Sequence, residues 1–541
     1  MATHKKNQKK SKNNETVAES FEYFLRWLLS ALVSLYAVFI LAVLPFYSEQ
    51  GFTHIGTDKS TFFRACTVRM SYFVIPVLLG WVVFKLVTVV KKACKESDWK
   101  PAVSLCLPDY FAFAYGFCVI LSYLCSSYKD TALWGTKGWY MGMLPHLTLV
   151  AIYFLVSRFQ MGAKWMLYLI MAVSSVVFAL GYLNRFDVWL LPMENSGLPM
   201  FISTVGNINW YCGYMVSVVF IGIGLFWLDN GEKKWYTLLL AAYTCLGFAT
   251  MITQGSDSGL FALAFVWLVM FVLSAKSEKT ERMKRFWLMI GLFALACMIT
   301  LVIRLLFPEK MNYSTGIGNL LTATAFPLLI GVVAGLGWWF AGRKGARRVW
   351  KRLSKSVCVA VPVVIVVFVL MITANTLNPG SLGAVSDQEI FTFDNKWGSA
   401  RGATWKLGAM CFAEQGLGHK MVGVGPDCMV DYLYKGGSDG LKTALKEAFP
   451  SKRLTNAHNE LLTILVNEGV CGLVAFVGLF FALLKKLLGH CENNSYAAVC
   501  GLCMVAYTAN NVWSFQQSLS VSTIFVIMGL GARFWLEKKA D

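Results

Sequence analysis

Continuous apolar runs of about 20 residues recur along this chain, the length an α-helix needs to cross a hydrocarbon core. Short polar turns separate them, except for one long polar stretch at 375–457. The runs do not alternate polar with apolar positions, which excludes an outer-membrane barrel. In lipid each span must satisfy its own backbone hydrogen bonds, so the expected fold is an all-α polytopic membrane protein. Fourteen spans are expected, at about 26–47, 68–90, 103–126, 139–157, 164–183, 207–228, 235–252, 258–274, 286–307, 319–341, 356–374, 460–484, 495–512 and 518–535. They divide the chain into a basic tail (1–25), helices one to eleven (26–374), one large extracytoplasmic segment (375–457), and helices twelve to fourteen with a short tail (458–541).

Composition agrees with the pattern: 57% of residues are hydrophobic, 15% are charged, and the mean hydropathy is +0.56. The net charge of +19 raises nucleic acid as a partner, but its placement argues otherwise. With the N-terminus inside, 32 of the 49 Lys and Arg fall on the inner side, among them KKACKESDWK (91–100), KSEKTERMKR (276–285) and GRKGARRVWKRLSK (342–355). The outer loops and adjoining span ends hold 8, and segment 375–457 holds the other 9. That asymmetry puts both termini in the cytoplasm and the long segment outside. The charge reports topology, not nucleic acid. The lysine-rich start has no cleavage site after an apolar core and reads as a cytoplasmic tail. The 15 cysteines lie mostly inside apolar runs, and neither a disulfide framework nor a metal-ligand spacing is visible.

Candidate chemistry concentrates at expected outer ends. His458 and Asn459 stand where the long segment meets span twelve, followed by Gly469 and Gly472 at a spacing suited to close approach of another helix. Histidine's ordinary pKa suits a general base near neutral pH, and a neighbouring Asn, Arg or backbone group could fix its tautomer. The structural alternative is a helix entry, since Asn456 and Asn459 both look like caps. Glu468 needs a partner if it is buried. Arg401, flanked by Gly402 and Trp405, suits bidentate phosphate recognition or an ordinary loop ion pair. Asn207 and Asn209, at the mouth of span six, suit a sugar hydroxyl or a helix cap. Asp257, in the turn TQGSDSG (253–259), has a sufficient explanation at a helix N-terminus. Arg185 follows span five, and Arg304 lies near the outer end of span nine, placed to snorkel or to meet a lipid phosphate. The patch 438–449 reads as an amphipathic helix with a Ser/Asp cap, ended by Pro450.

The pattern HN-x9-G-x-x-G entering a late span resembles the signature of the O-antigen ligase and polymerase superfamily, at His458, Asn459, Gly469 and Gly472. Arg401 and Trp405, then Gly423 and Gly425 in GVGPD, look like that family's outer-loop pattern. GNIN (206–209) and the turn Ser256 to Gly259 are similar to its earlier elements, and the likeness covers roughly 200–480. One departure stands out. The family often has Ser-Arg-Gly at that turn, and here Asp257 and Ser258 follow Ser256, so Arg185, Arg304 or Arg401 would have to serve a phosphate.

The resemblance implies glycosyl transfer at the outer face of the cytoplasmic membrane of a bacterium. A glycan would move from a polyprenyl-pyrophosphate carrier to a hydroxyl of a sugar, lipid or protein. His458 would be the base, an arginine would bind pyrophosphate, the anomeric carbon would invert, and neither metal nor cofactor would be needed. A lipid-linked glycan transporter or flippase is the alternative. No internal repeat relates the two halves, which weakens it.

Overall fold

The computed structural model describes residues 2–49, 54–95, 105–193, 196–311, 314–451, 453–489 and 491–540. The end of the expected inner loop 91–100 and the start of span three, at 103, lie outside them. The first half runs through α1 (Ala2–Val38), α2 (Ile55–Lys95), α3 (Leu107–Cys125), α4 (Lys129–Trp134), α5 (Met143–Phe159), α6 (Lys164–Arg185), α7 (Ile208–Leu228), α8 (Lys234–Thr253) and α9 (Asp257–Lys276). It continues through α10 (Thr280–Leu306), α11 (Gly316–Leu321), α12 (Ala325–Ala341) and α13 (Ala346–Leu377). The polar segment carries α14 (Trp397–Glu414), α15 (Leu417–Val422), α16 (Met429–Asp431) and α17 (Asp439–Ala448). The chain closes with α18 (Glu460–Gly489), α19 (Ser495–Asn511) and α20 (Ser518–Ala540). Among the described residues the strands are two short ones, β1 (Phe201–Ile202) and β2 (Gly206–Asn207), paired antiparallel with Phe201 opposite Asn207.

A helix overlaps each expected span, although the tenth (319–341) is divided between α11 and α12. Among the described residues eleven helical segments are long and apolar enough to cross a membrane, α5 and α12 are shorter apolar helices, and α19 has 17 residues. This is the architecture of an all-α, multi-pass membrane protein. Three helices begin well before the expected span, because charges at their ends break the apolar pattern without breaking the helix; α1 starts at Ala2 and takes in the expected basic tail. α2 starts at Ile55 and carries Lys59, whose buried ammonium donates to the carbonyls of Leu44, Pro45 and Tyr47 at 2.9–3.0 Å. α13 starts at Ala346 and takes in the basic run 347–355.

Burial varies widely across the bundle. α7 is buried along its whole apolar window, whereas none of α13's window is buried. A helix that is apolar all round belongs inside a bundle, and α7 packs against α19, α8, α20 and α6. Small residues allow the approach: a Cβ on Gly222 would lie 2.2 Å from the Tyr243 ring of α8.

α18 is not one helix. Gly469 sits at φ 72°, ψ −174°, a conformation open to glycine alone, and divides it. The expected role of Gly469, sharing a helical face with Gly472 for a partner helix, is therefore corrected. A Cβ on Gly469 would fall 2.4 Å from the Met421 carbonyl carbon, and one on Gly423 would fall 1.9 Å from the Asn467 oxygen. Val424 and Gly425 donate their N–H groups to the carbonyls of Val466 and Asn467, both at 3.1 Å. Ser122 of α3 also donates to the Asn467 carbonyl, at 2.6 Å, and the Asn467 side chain accepts from the Met429 N–H at 2.8 Å. The strap 421–429 thus takes up carbonyls that the break sets free. Gly472 leaves room for the Glu468 side chain, with Cys118 of α3 at 3.9 Å from an added Cβ.

Gly469→Ala is expected to lose about 3 kcal/mol or more of stability, from positive-φ strain and the clash with Met421. Gly418→Ala, on α15 with open space around its Cβ, is expected to be unchanged or slightly stabilised. Thermal melting in detergent compares them; equal midpoints would show that the break and strap do not hold the fold.

Candidate functional site

Three pieces of chain converge at one end of the bundle: the entry to α18, the start of α14, and the connection 512–517 between α19 and α20. At the first, Asn456 Oδ1 accepts the His458 N–H at 2.9 Å, and His458 takes a positive φ of 49°. Asn459 Oδ1 then accepts the Leu462 N–H at 2.9 Å, which makes Asn459 the N-cap of α18. Cap and tight turn hold the imidazole edge-on to Phe515, with centroids 5.0 Å apart and planes at 83°. Among the described residues neither imidazole nitrogen has a hydrogen-bond partner, so no protein group fixes the tautomer. The left-handed backbone at His458 recurs at Ser399, Ala400 and Asp427. Strain of this kind collects at functional sites.

At the second piece, the left-handed turn Gly398 to Ala400 delivers Arg401 to the head of α14. Arg401 Nε donates to the Trp513 carbonyl at 2.8 Å and Nη1 to the Gly398 carbonyl at 3.0 Å. Its Nη2 has no protein partner among the described residues. Trp405 stacks on Trp513 at 5.2 Å, meets Trp397 at 5.5 Å, and points its Nε1–H at the His458 carbonyl, 3.5 Å away. Burial, and then the Arg401 charge, pull the His458 pKa down from the ordinary 6.5 to about 4. The imidazole is therefore neutral at pH 7.

Beside the entry to α18, walled by Thr455, Asn456 and Glu460, lies a cavity of about 30 Å³, room for roughly two waters. Trp139, Phe515, His146, Asp427, Glu460 and Glu468 are among its lining residues. Glu460 accepts from Tyr507 Oη at 3.0 Å and from the Asn511 amide. Asp427 accepts the backbone N–H of Thr136 at 2.6 Å, and burial pushes its carboxyl up to about 7. Glu468 is 1% exposed, and its Oε2 has no hydrogen-bond partner. Across Trp139, whose ring meets that of Trp210 at 5.4 Å, is a larger cleft of about 260 Å³ that includes His54, Thr57 and Asn207. Among the described residues no three His, Cys, Asp or Glu side chains are placed to hold a metal ion.

The other anticipated residues divide. Asn207 caps α7, its Oδ1 accepting from the Asn209 N–H at 2.9 Å, and still lines the larger cleft. Asn209 Oδ1 accepts from Ser256 at 3.5 Å, so the segment 206–209 and the turn 256–259 do meet. Gly259 lets α9 lie close to α7, since a Cβ there would lie 3.0 Å from Cys212 Sγ. Asp257 heads α9 and lies within electrostatic reach of Arg401. Arg185 is fully buried and donates to the carbonyls of Pro199 at 2.8 Å and Gln254 at 2.7 Å, which makes it a brace between loops. Arg304 reaches Thr322. Of the three arginines, Arg401 is the one beside the histidine. Sequence reasoning missed Trp139, Trp513 and Phe515; their signal was aromatic residues in short loops at span mouths.

No protein-family model matches the chain, and neither does any curated protein.

Arg401→Ala is expected to raise the His458 pKa from about 4 toward the ordinary 6.5, because it removes a charge that opposes protonation. An NMR titration of that imidazole checks this. An unmoved titration in the variant would mean that the two side chains are not electrostatically coupled.

Proposed function

We propose that this protein is an integral-membrane glycosyltransferase of the O-antigen ligase and polymerase kind. In this reading it moves a glycan from a polyprenyl-pyrophosphate carrier to an acceptor hydroxyl at the outer face of the bacterial cytoplasmic membrane. The observation that carries the reading is the convergence of a neutral, partly buried histidine with an arginine that retains an uncommitted Nη2, beside an aromatic cleft, at one end of a helical bundle.

The chemistry then runs as follows. The acceptor oxygen attacks the anomeric carbon while the bond from that carbon to the pyrophosphate oxygen breaks, and the bonding pair leaves with the pyrophosphate. The hydroxyl proton passes to His458, and the anomeric configuration inverts. Arg401 stabilises the charge that develops on the departing oxygen. The same pairing gates the base. Burial, and then the Arg401 charge, hold the histidine's basicity down, and an anion on Arg401 offsets the second of these and raises the basicity part of the way when the donor is present. Trp139 and Trp210 offer ring faces to a sugar, with Asn207 and Thr57 as polar partners.

One observation favours the second reading, a lipid-linked glycan transporter. A broken helix with the buried carboxyl Glu468 beside the break is a feature of such proteins. Glu468 lies inside α18, away from the helix ends where charge is readily solvated.

His458→Ala is expected to abolish transfer while the protein inserts and accumulates normally; polymer of normal length and yield in that variant would remove the histidine from the mechanism. Arg401→Ala is expected to weaken use of the lipid-pyrophosphate donor, seen as a higher donor KM and lower kcat. In a deletion strain, single repeats on the final acceptor indicate a polymerase, and finished polymer stranded on the carrier indicates a ligase. Carrier-linked donor that accumulates on the inner leaflet would replace both with the transporter.

A further inference from the structure

The other end of the bundle holds a feature that glycosyl transfer does not use. α9 has 20 residues, so Lys276 lies about 30 Å along the helix axis from Asp257 and the His458 end. α13 starts beside it, and the two elements wall a cleft of about 460 Å³. Six cations line the cleft: Lys276, Arg347, Arg348, Lys351, Arg352 and Lys355. One carboxylate, Glu278, pairs with Arg347 and lies 3.7 Å from Lys351.

These cations work against their own helix. The first turn of α13 has no acidic residue and the N-cap Gly345 supplies no side-chain cap, so Arg347 and Arg348 sit at the positive end of the helix dipole. The inward bias of basic residues accounts for cations at this end of a span. It does not account for six of them turned onto one cleft where each raises the cost of the next. Helix dipole and side chains both favour an anion there.

We infer that this cleft binds the phosphate headgroup of an anionic phospholipid. The surroundings select a lipid over a free phosphate. α13 continues from the cleft into a lipid-facing apolar wall, with Val349, Val359 and Val363 48–67% exposed. Trp338 and Trp339 are exposed at the same end, and Arg343 stacks over Trp339 at 4.0 Å, marking the depth where headgroups lie. A basic pocket between helices at that depth is suited to a lipid headgroup.

Full-length protein in detergent would be exposed to mixed micelles of phosphatidylglycerol, cardiolipin and phosphatidylcholine, and the retained lipid counted by native mass spectrometry. Wild type is expected to retain the anionic lipids over phosphatidylcholine, and R348Q/R352Q to retain about tenfold less anionic lipid. R343Q/K344Q, at the same end but outside the lining, is expected to match wild type. Three results would overturn the inference: no headgroup preference in wild type, equal losses in both variants, or displacement of the lipid by equimolar inorganic pyrophosphate, which would make the cleft a free-phosphate site. Should R348Q/R352Q fail to accumulate, wild-type preference and pyrophosphate competition still decide.

Discussion

A helix that breaks inside a membrane exposes carbonyl groups to a medium with nothing to bond them, at several kcal/mol for each group left open. α18 breaks at Gly469, and the strap 421–429 supplies the missing donors from Val424 and Gly425. This one repair explains why a polar segment outside the bundle must also reach into it. It also explains four glycines at once: Gly423 and Gly469 lie where one backbone crosses another, Gly425 turns the strap at φ 124° against Ser126, and Gly472 clears space for Glu468.

The position of His458 follows from the same constraint. The strap fixes the inner part of α18 against α3, and Asn459 caps the helix nine residues before the break reaches Glu468, so the entry turn is anchored at both ends. The ring then lies against Phe515, and the Trp513 carbonyl two residues earlier holds Arg401. Of the seven non-glycine residues with left-handed backbone among the described residues, four lie on the strap, at the entry to α18 or in the turn before Arg401: Asp427, His458, Ser399 and Ala400. Strain of order 1–3 kcal/mol per residue persists only where the surroundings over-determine it. The stacked tryptophans 397, 405 and 513 and the bonds of the strap provide those surroundings.

The helices were legible because length and apolarity are local properties. α17 shows how far local signals reach: Ser438 caps it by accepting from the Leu441 N–H, and Leu441 and Leu445 are its buried side. Where charge interrupts the pattern, legibility failed. Lys59 hid the start of α2, because its ammonium is satisfied by three carbonyls that no local window contains. The site was legible as residue types and not as geometry. His458, Arg401 and the glycine pairs could be picked out, but Gly469 was placed on a helical face, since a positive φ leaves no mark on spacing. Arg185 and Arg401 look alike in sequence. Only packing shows one buried against two carbonyls and the other beside an imidazole.

The broken helix admits a gate as readily as a fixed site, and the bonding around it bears on which is the better description. An alternating-access element must exchange its partners between two states of similar energy. Here the break is tied by backbone bonds from Val424 and Gly425, by Ser122 and by Met429, in surroundings where each bond lost leaves a buried polar group open. Moving α18 past the strap and α3 would release four such bonds together. That cost suits a fixed constellation, in which an ordered scaffold keeps the His458 imidazole and the Arg401 guanidinium in register. Glu468, held at the break with an unpaired oxygen, then belongs to the rigid floor of the pocket and not to a moving charge.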